Sequence, residues 1–214
     1  MISLTYDPDT AGLLPAIEVC ETKPNLDDGS TDMANENWQV DGAHSPVNLT
    51  VRHMMISKVR GRFTKWNAKL ALDTVDLARS SVEVEIDAAS IDTGVADRDA
   101  HLRSPDFLDA QKYPTLRYRS RRVEAVSKER LRVVGDLTIR DVTREVVLDV
   151  EYGGQGKDPW GSQRVGFTAT ASLNRKEFGL TWNQALETGG VLVADRVDIE
   201  IELQAVLQAA EKAA

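Results

Sequence analysis

A chain of 214 residues, 42% of them hydrophobic, can bury one good core and is short for two full domains. Its formal charge of −8 is concentrated in residues 1–36, where eight acids face Lys23 alone, so the remainder is near neutral and has no electrostatic reason to hold nucleic acid. The single cysteine, Cys20, excludes an intrachain disulfide and any paired-cysteine metal or redox site, and no apolar run reaches the ~18 residues of a membrane-spanning helix.

Residues 1–36 also hold Pro8, Pro15 and Pro24, and show no periodicity beyond an apolar island at Leu13, Leu14, Ile17 and Val19. This composition reads as a poorly ordered leader, with docking of the island on the body as the alternative. There is neither a basic start nor the apolar run of ~7–15 residues found in a secretory signal, so the expectation is a soluble, cytoplasmic protein.

From Trp38 onward the hydrophobic period is two. Trp38 to Asp41 makes a first short strand, and Val47, Leu49, Val51 and His53 alternate with Asn48, Thr50 and Arg52 in a second. Val59, Gly61 and Phe63 follow, then Val82, Val84 and Ile86 between acidic residues. Leu116, Tyr118 and Ser120 alternate with Arg117, Arg119 and Arg121, a solvated stripe. Next come Leu131, Val133, Leu137 and Ile139, and then Val146, Leu148, Val150 and Tyr152. Phe167, Ala169, Ala171 and Leu173 make the next strand, and Val197, Ile199, Ile201, Leu203 and Ala205 the last. Strands with one wet face are antiparallel, and eight to ten of them must stack as a sandwich or close as a barrel. Gly153-Gly154 with Gly156 and Pro159, Gly189-Gly190 and Ser127-Lys128-Glu129 supply the turn signals.

The exception is Arg98 to Pro114, which cannot be a strand. Asp97 can cap a short helix there, Asp99 suits its positive end, and Pro105 limits its length. So short a helix must pack on something, and with Phe107 and Leu108 turned inward it would plug one end of the barrel.

Small inward residues argue for a hollow interior: Ala169 and Ala171 face in, Gly61 and Gly135 share the inward parity, and only 6% of the chain is aromatic. The competing reading is a solid core in which those alanines meet facing leucines. Polar candidates are few. His53 has inward parity and reads first as a hydrogen-bonded core histidine. His44 reads as part of a strand-end network near Asp41 and Ser45. Arg98, Asp99 and His101 are candidate head-group contacts, although an ion-pair cluster with Arg103 that fixes the plug is the plainer account. Three scattered histidines and a remote cysteine match no metal template, and no nucleotide, P-loop or hydrolase motif occurs, so neither metal nor cofactor is expected.

Seven blocks in order carry a resemblance: WQVDGAHS from Trp38, VRGRF from Val59, IDAASIDT from Ile86, RDAHLRSPDFLD from Arg98, KYPTLRYRS from Lys112, GDLTIRDVT from Gly135 and LNRKEFGLTWN from Leu173. Over about residues 37–206 the chain resembles the YceI-like family of polyisoprenoid-binding, lipocalin-like proteins. The resemblance implies an all-β fold, an extended eight-stranded antiparallel lipocalin-like barrel with a short helix at one end, spanning 37–207 between the leader and a tail at 208–214. It implies a pore for a polyprenyl or other long-chain lipid, with proposed links to isoprenoid quinone metabolism or transport. Trp182, in the last block, joins the candidate pore lining. Two departures stand out: Asp141 replaces the family's usual glycine, and the acidic leader falls outside the family. Many relatives carry export signals.

The leading expectation is a non-catalytic carrier or store of a polyisoprenoid, quinone precursor or fatty-acyl amphiphile. An alternative is a lipid-modifying isomerase or hydrolase using His53 or His101 as acid or base. A third is a structural or interaction module with a vestigial pore. Exposed edges or the leader could support a homodimer.

Overall fold

The computed structural model describes residues 36–42, 45–186 and 190–208. The expectations for the leader before Glu36, Cys20, His44, Gly189 and the tail beyond Gln208 lie outside the described residues.

The strand segments are β1 (Glu36–Val40), β2 (Val47–His53), β3 (Ser57–Phe63), β4 (Trp66–Leu72), β5 (Ser81–Asp87) and β6 (Ile91–Asp92), followed after the helix by β7 (Thr115–Ala125), β8 (Arg130–Ile139), β9 (Val142–Lys157), β10 (Gln163–Asn174) and β11 (Val193–Leu207). Every pairing is antiparallel. β1, β4, β5, β7, β8, β9, β10 and β11 form a closed ring, because β11 returns to β1 with Trp38 opposite Leu207. β2 continues β1 along β11, β3 and β4 are two halves of one long strand, and β6 extends β5, so eight staves make the wall.

Three staves are interrupted, after Val40, at 64–65 and at 88–90, and side chains bridge the gaps. Ser45 Oγ accepts from the Gln204 amide at 3.0 Å, and Ser90 Oγ donates to the Asp87 carbonyl at 2.7 Å. Both serines are buried, so these bonds satisfy backbone groups that the ladder would otherwise pair.

The structure departs from the sequence expectations at several points. β4 was not foreseen: Trp66, Ala68, Leu70 and Leu72 do alternate, but Ala68, Leu70, Ala71 and Leu72 suit a helix as well, and only pairing with β1 and β5 decides. Gly153, Gly154 and Gly156 are no turn. They lie inside β9, where Gly154 takes φ 96° beside a register shift at Gly166/Phe167, and of that turn signal only Pro159 falls where the chain reverses, at Asp158–Ser162. Between β8 and β9 the left-handed residue is Arg140, φ 60°, so the backbone asks nothing of Asp141 that glycine would supply better. Gly135 does not open the interior either, since a Cβ there would lie 2.7 Å from the Tyr118 ring that already covers it.

The end where β11 finishes is held by an ionic knot. Asp158 accepts from the Trp160 and Ser162 amides at 3.0 and 2.9 Å and from Arg164 Nε at 2.9 Å, while Arg164 Nη1 reaches Asp41 at 2.8 Å. The Arg164 guanidinium, helped by the Ser162 and Trp160 amides, outweighs burial and holds the Asp158 carboxyl below its usual 3.8. A group with a depressed folded pKa stabilises above its unfolded pKa and loses that contribution as pH falls through the folded one. Asp158→Ala should therefore be less stable than the parent at neutral pH. In urea titrations from about pH 7 to about pH 2 the gap should hold down to the ordinary carboxylate range and then close. A gap that persists at the acid end would trace it to packing.

Candidate functional site

The inward faces of the ring are unevenly covered. Leu131, Val133, Leu137 and Ile139 of β8 are buried, the last three in one cluster with Leu108 of the plug. By contrast Leu49 and Val51 of β2, Val82, Val84 and Ile86 of β5, Leu148 of β9, and Ile199 and Ile201 of β11 point inward yet are only half buried. Such apolar residues touch nothing on one side because an internal cavity of about 620 Å³ lies between them. Its lining is almost wholly apolar. The size falls within the range of small-molecule sites.

Of the expected lining residues, Val47, Leu49, Val51, His53, Phe63, Val82, Val84, Ile86, Leu116, Tyr118, Leu137, Ile139, Val146, Leu148, Phe167, Ala169, Leu173, Trp182, Ile199 and Ile201 border the cavity. Ala171 does not: it packs against the buried cluster at the plug end. Unforeseen are Leu70 and Leu72 of β4, Leu77 beyond it, and Phe178 and Leu180 after β10. The β4 pair was hidden by helix-compatible composition. Val123 also joins, because a register shift between Ser120 and Arg122 inserts one residue and reverses the parity beyond it. At Tyr118 burial raises the phenol well above its ordinary pKa, and its hydroxyl donates to the Val133 carbonyl at 2.9 Å, so it serves as wall.

One end is closed by helix α1 (Ala96–Arg103) and the turns after it. Phe107 and Leu108 are buried and reach the cavity, as the plug reading expects. The capping expectation is corrected: Val95 occupies the N-cap position and no side chain caps the helix. Asp99 turns back instead, accepting from the Thr93 amide at 2.9 Å and from its hydroxyl. Buried there, Asp99 lies off the cavity wall. Arg98 donates through Nε and Nη2 to the Thr93 hydroxyl and carbonyl at 2.7 and 3.0 Å, leaving Nη1 unpartnered among the described residues. Arg103 donates to the carbonyls of Ala89 and Ile91 at 2.7 and 2.8 Å. The plug is thus fixed mainly by hydrogen bonds to backbone rather than by mutual ion pairs.

His101 meets Asp106 at 2.9 Å and is packed edge-on by Phe107 and Trp182, with centroids 5.0 and 4.6 Å away. That fixes the imidazole, but no hydroxyl or thiol nucleophile is bonded to it among the described residues. His53 is half buried at the cavity border, and its ring has no hydrogen-bond partner among the described residues, so the hydrogen-bonded core histidine expected of it is not found there. No group of three His, Cys, Asp or Glu side chains among the described residues could hold a metal ion. No helix among them is long and apolar enough to cross a membrane.

Arg175, 4% exposed, ties the segment after β10 to β11. Its Nε donates to the Ala194 carbonyl at 3.0 Å and its Nη1 to those of Leu180 and Trp182 at 2.6 and 2.8 Å. Its Nη2 reaches the Val193 carbonyl at 3.3 Å and Asp195 at 3.4 Å. Burial pushes the guanidinium pKa down, and Asp195 opposes that shift. Leu180 and Trp182 are thereby held at the cavity wall. Within LNRKEFGLTWN, sequence reasoning gave this arginine no role.

Comparison with known proteins places this geometry. The model of the YceI-like domain matches residues 38–205, essentially the whole closed wall. The chain belongs to the YceI-like family. Among YceI-like relatives, a UPF0312 protein of Vibrio cholerae is 42% identical over 139 residues, covering 65% of this chain and 74% of that protein. One from Staphylococcus aureus is 38% identical over 165 residues, covering 77% and 94%. The YceI protein of Campylobacter jejuni superposes with a TM-score of 0.65 at 30% identity, covering 74% of this chain and 90% of that one. BcnA of Burkholderia cenocepacia gives 0.68 at 26% identity, with coverages of 77% and 98%. A structure described as a polyisoprenoid-binding domain from Saccharophagus degradans gives 0.56 at 14% identity, which speaks for the shared fold alone.

Proposed function

We propose that this YceI-like barrel binds and carries a long apolar lipid, of the polyisoprenoid or fatty-acyl class, without transforming it. The observation that carries the reading is the half-buried apolar wall around the 620 Å³ cavity. Burying each methylene contributes ~0.8 kcal/mol, so a long chain can be held without a charged anchor. At about 0.3 kcal/mol per atom, a ligand of several tens of atoms reaches roughly nanomolar affinity.

Native mass spectrometry of gently purified protein should show a co-purifying lipid. Stripped protein should take up a fluorescent polyprenyl probe in vesicle-free buffer. A barrel that arrives empty and ignores the probe would overturn the reading.

Polar lining at the helix end suits a head group. Arg98, with Nη1 unpartnered, and His101 both border the cavity. If Arg98 meets an anionic head group, Arg98→Ala should weaken binding of a prenyl diphosphate about tenfold while sparing the prenyl alcohol. Equal losses for both would assign Arg98 to fixing the plug alone.

A further inference from the structure

The turn between β2 and β3 is made of residues that suit neither its backbone nor its surroundings. The Ile56 amide donates to the His53 carbonyl at 3.1 Å, and the central residues Met54 and Met55 have φ of 52° and 61°. That is a type I′ pattern, a turn dominated by Asn and Gly because both positions are left-handed. Here two methionines occupy it. Met54 is 41% exposed, Met55 60% and Ile56 82%, so three successive apolar side chains stand in water. Val191 and Val95 are exposed at the same end of the barrel, the first beside the tip through the bond from the Met54 amide to the Leu192 carbonyl at 2.8 Å.

The hairpin beneath this tip is strongly basic within an acidic chain. Residues 47–63 contain Arg52, Lys58, Arg60 and Arg62 and no acid, although the whole chain carries −8. Arg52 and Lys58 are paired across the hairpin near the turn, and Arg60 follows opposite Thr50. Arg62 is ion-paired with Asp92. Arg52, Lys58 and Arg60 are exposed and form no ion pair among the described residues, Lys58 acting on Asp198 only through its field.

We infer that the β2–β3 hairpin docks the barrel onto an anionic phospholipid surface, with Met54, Met55 and Ile56 entering the acyl boundary and Lys58 and Arg60 meeting phosphate groups. This rests on the lipid-carrier reading and adds where the cargo is exchanged. A stable protein interface needs a broad complementary area, roughly 800 Å² per partner, whereas this tip is a narrow wedge. A bilayer interface accepts such a wedge when cations flank it. Arg52 and His53, directly before the tip, border the cavity, so docking brings its helix end to the lipid source.

The test is co-sedimentation of the full chain with phosphatidylcholine vesicles, with or without roughly one third phosphatidylglycerol. The parent should bind the anionic vesicles about tenfold more strongly, and this preference should fall in high salt. Met54→Asn with Met55→Gly gives the turn the residues it prefers, so the double variant should fold at least as stably yet bind vesicles about tenfold less. Lys58→Glu with Arg60→Glu should erase the preference for anionic lipid. All variants should keep uptake of the polyprenyl probe in vesicle-free buffer. Absence of parent binding to vesicles, or equal binding by the turn variant, overturns docking while leaving the carrier reading intact. So does a concentration-dependent dimer that the turn variant abolishes without a change in vesicle binding. Failure of probe uptake by the parent would sink the carrier reading separately.

Discussion

Ala169→Phe should sharply weaken lipid uptake and leave the barrel folded. Ala169 is buried on β10, opposite Val150 and Ile201, and its methyl borders the cavity. In a close-packed core an added ring forces neighbours off their rotamers and costs about 1–3 kcal/mol. Here the ring has room to enter. It would gain contacts with Leu148, Phe167 and Ile201, which already line that space. Stability should therefore hold or rise while the volume left for a ligand shrinks. Probe titration should show affinity reduced by about tenfold or more, alongside an unchanged or raised urea midpoint. A destabilised variant that still binds the probe would mean that the alanine meets packed side chains and that the ligand lies elsewhere.

Arg175→Met should be the most damaging single change to stability. It removes the donor to four backbone carbonyls, those of Leu180, Trp182, Val193 and Ala194, and leaves acceptors that water reaches poorly. Losing a buried, charge-assisted network of this kind costs on the order of 3–5 kcal/mol. Arg175→Lys should recover little, since an ammonium on a flexible stem cannot reproduce the fan of Nε, Nη1 and Nη2. Equilibrium unfolding of both variants checks this. Lysine restoring the parent midpoint would show that charge alone, and not the guanidinium's shape, holds the segment. Because Leu180 and Trp182 border the cavity, the methionine variant should also bind the probe more weakly.

Much of this arrangement was legible in the sequence because a half-buried strand advertises its inner face at every second residue. Val82, Val84 and Ile86, for example, could face only one way once their acidic neighbours faced water. Legibility failed where tertiary pairing decides between local options. β4 pairs as a strand although its composition is helix-compatible, and the β9 glycines mark a bulge where they resembled a turn. The extra residue near Arg121 is invisible in alternation yet brings Val123 inside. At the plug, charge counting suggested ion pairs, but the acceptors for Arg98 and Arg103 include backbone carbonyls, which composition cannot reveal. Of the small residues that suggested a hollow interior, Ala169 borders the cavity and Ala171 does not, while at Gly61 and Gly135 the Thr93 and Tyr118 side chains take the space a Cβ would need.

The joint between β1 and β11 has a bearing on how the protein is made. Trp38 faces Leu207, so the wall closes only when the first strand of the ring meets the last. During synthesis from the N-terminus, the inner faces of the earlier staves emerge before their final neighbour exists. Contacts of such long sequence separation form slowly. Closure of the ring is therefore a late step of folding, and until it happens the inner faces that will enclose the cavity are apolar surface open to wrong pairings.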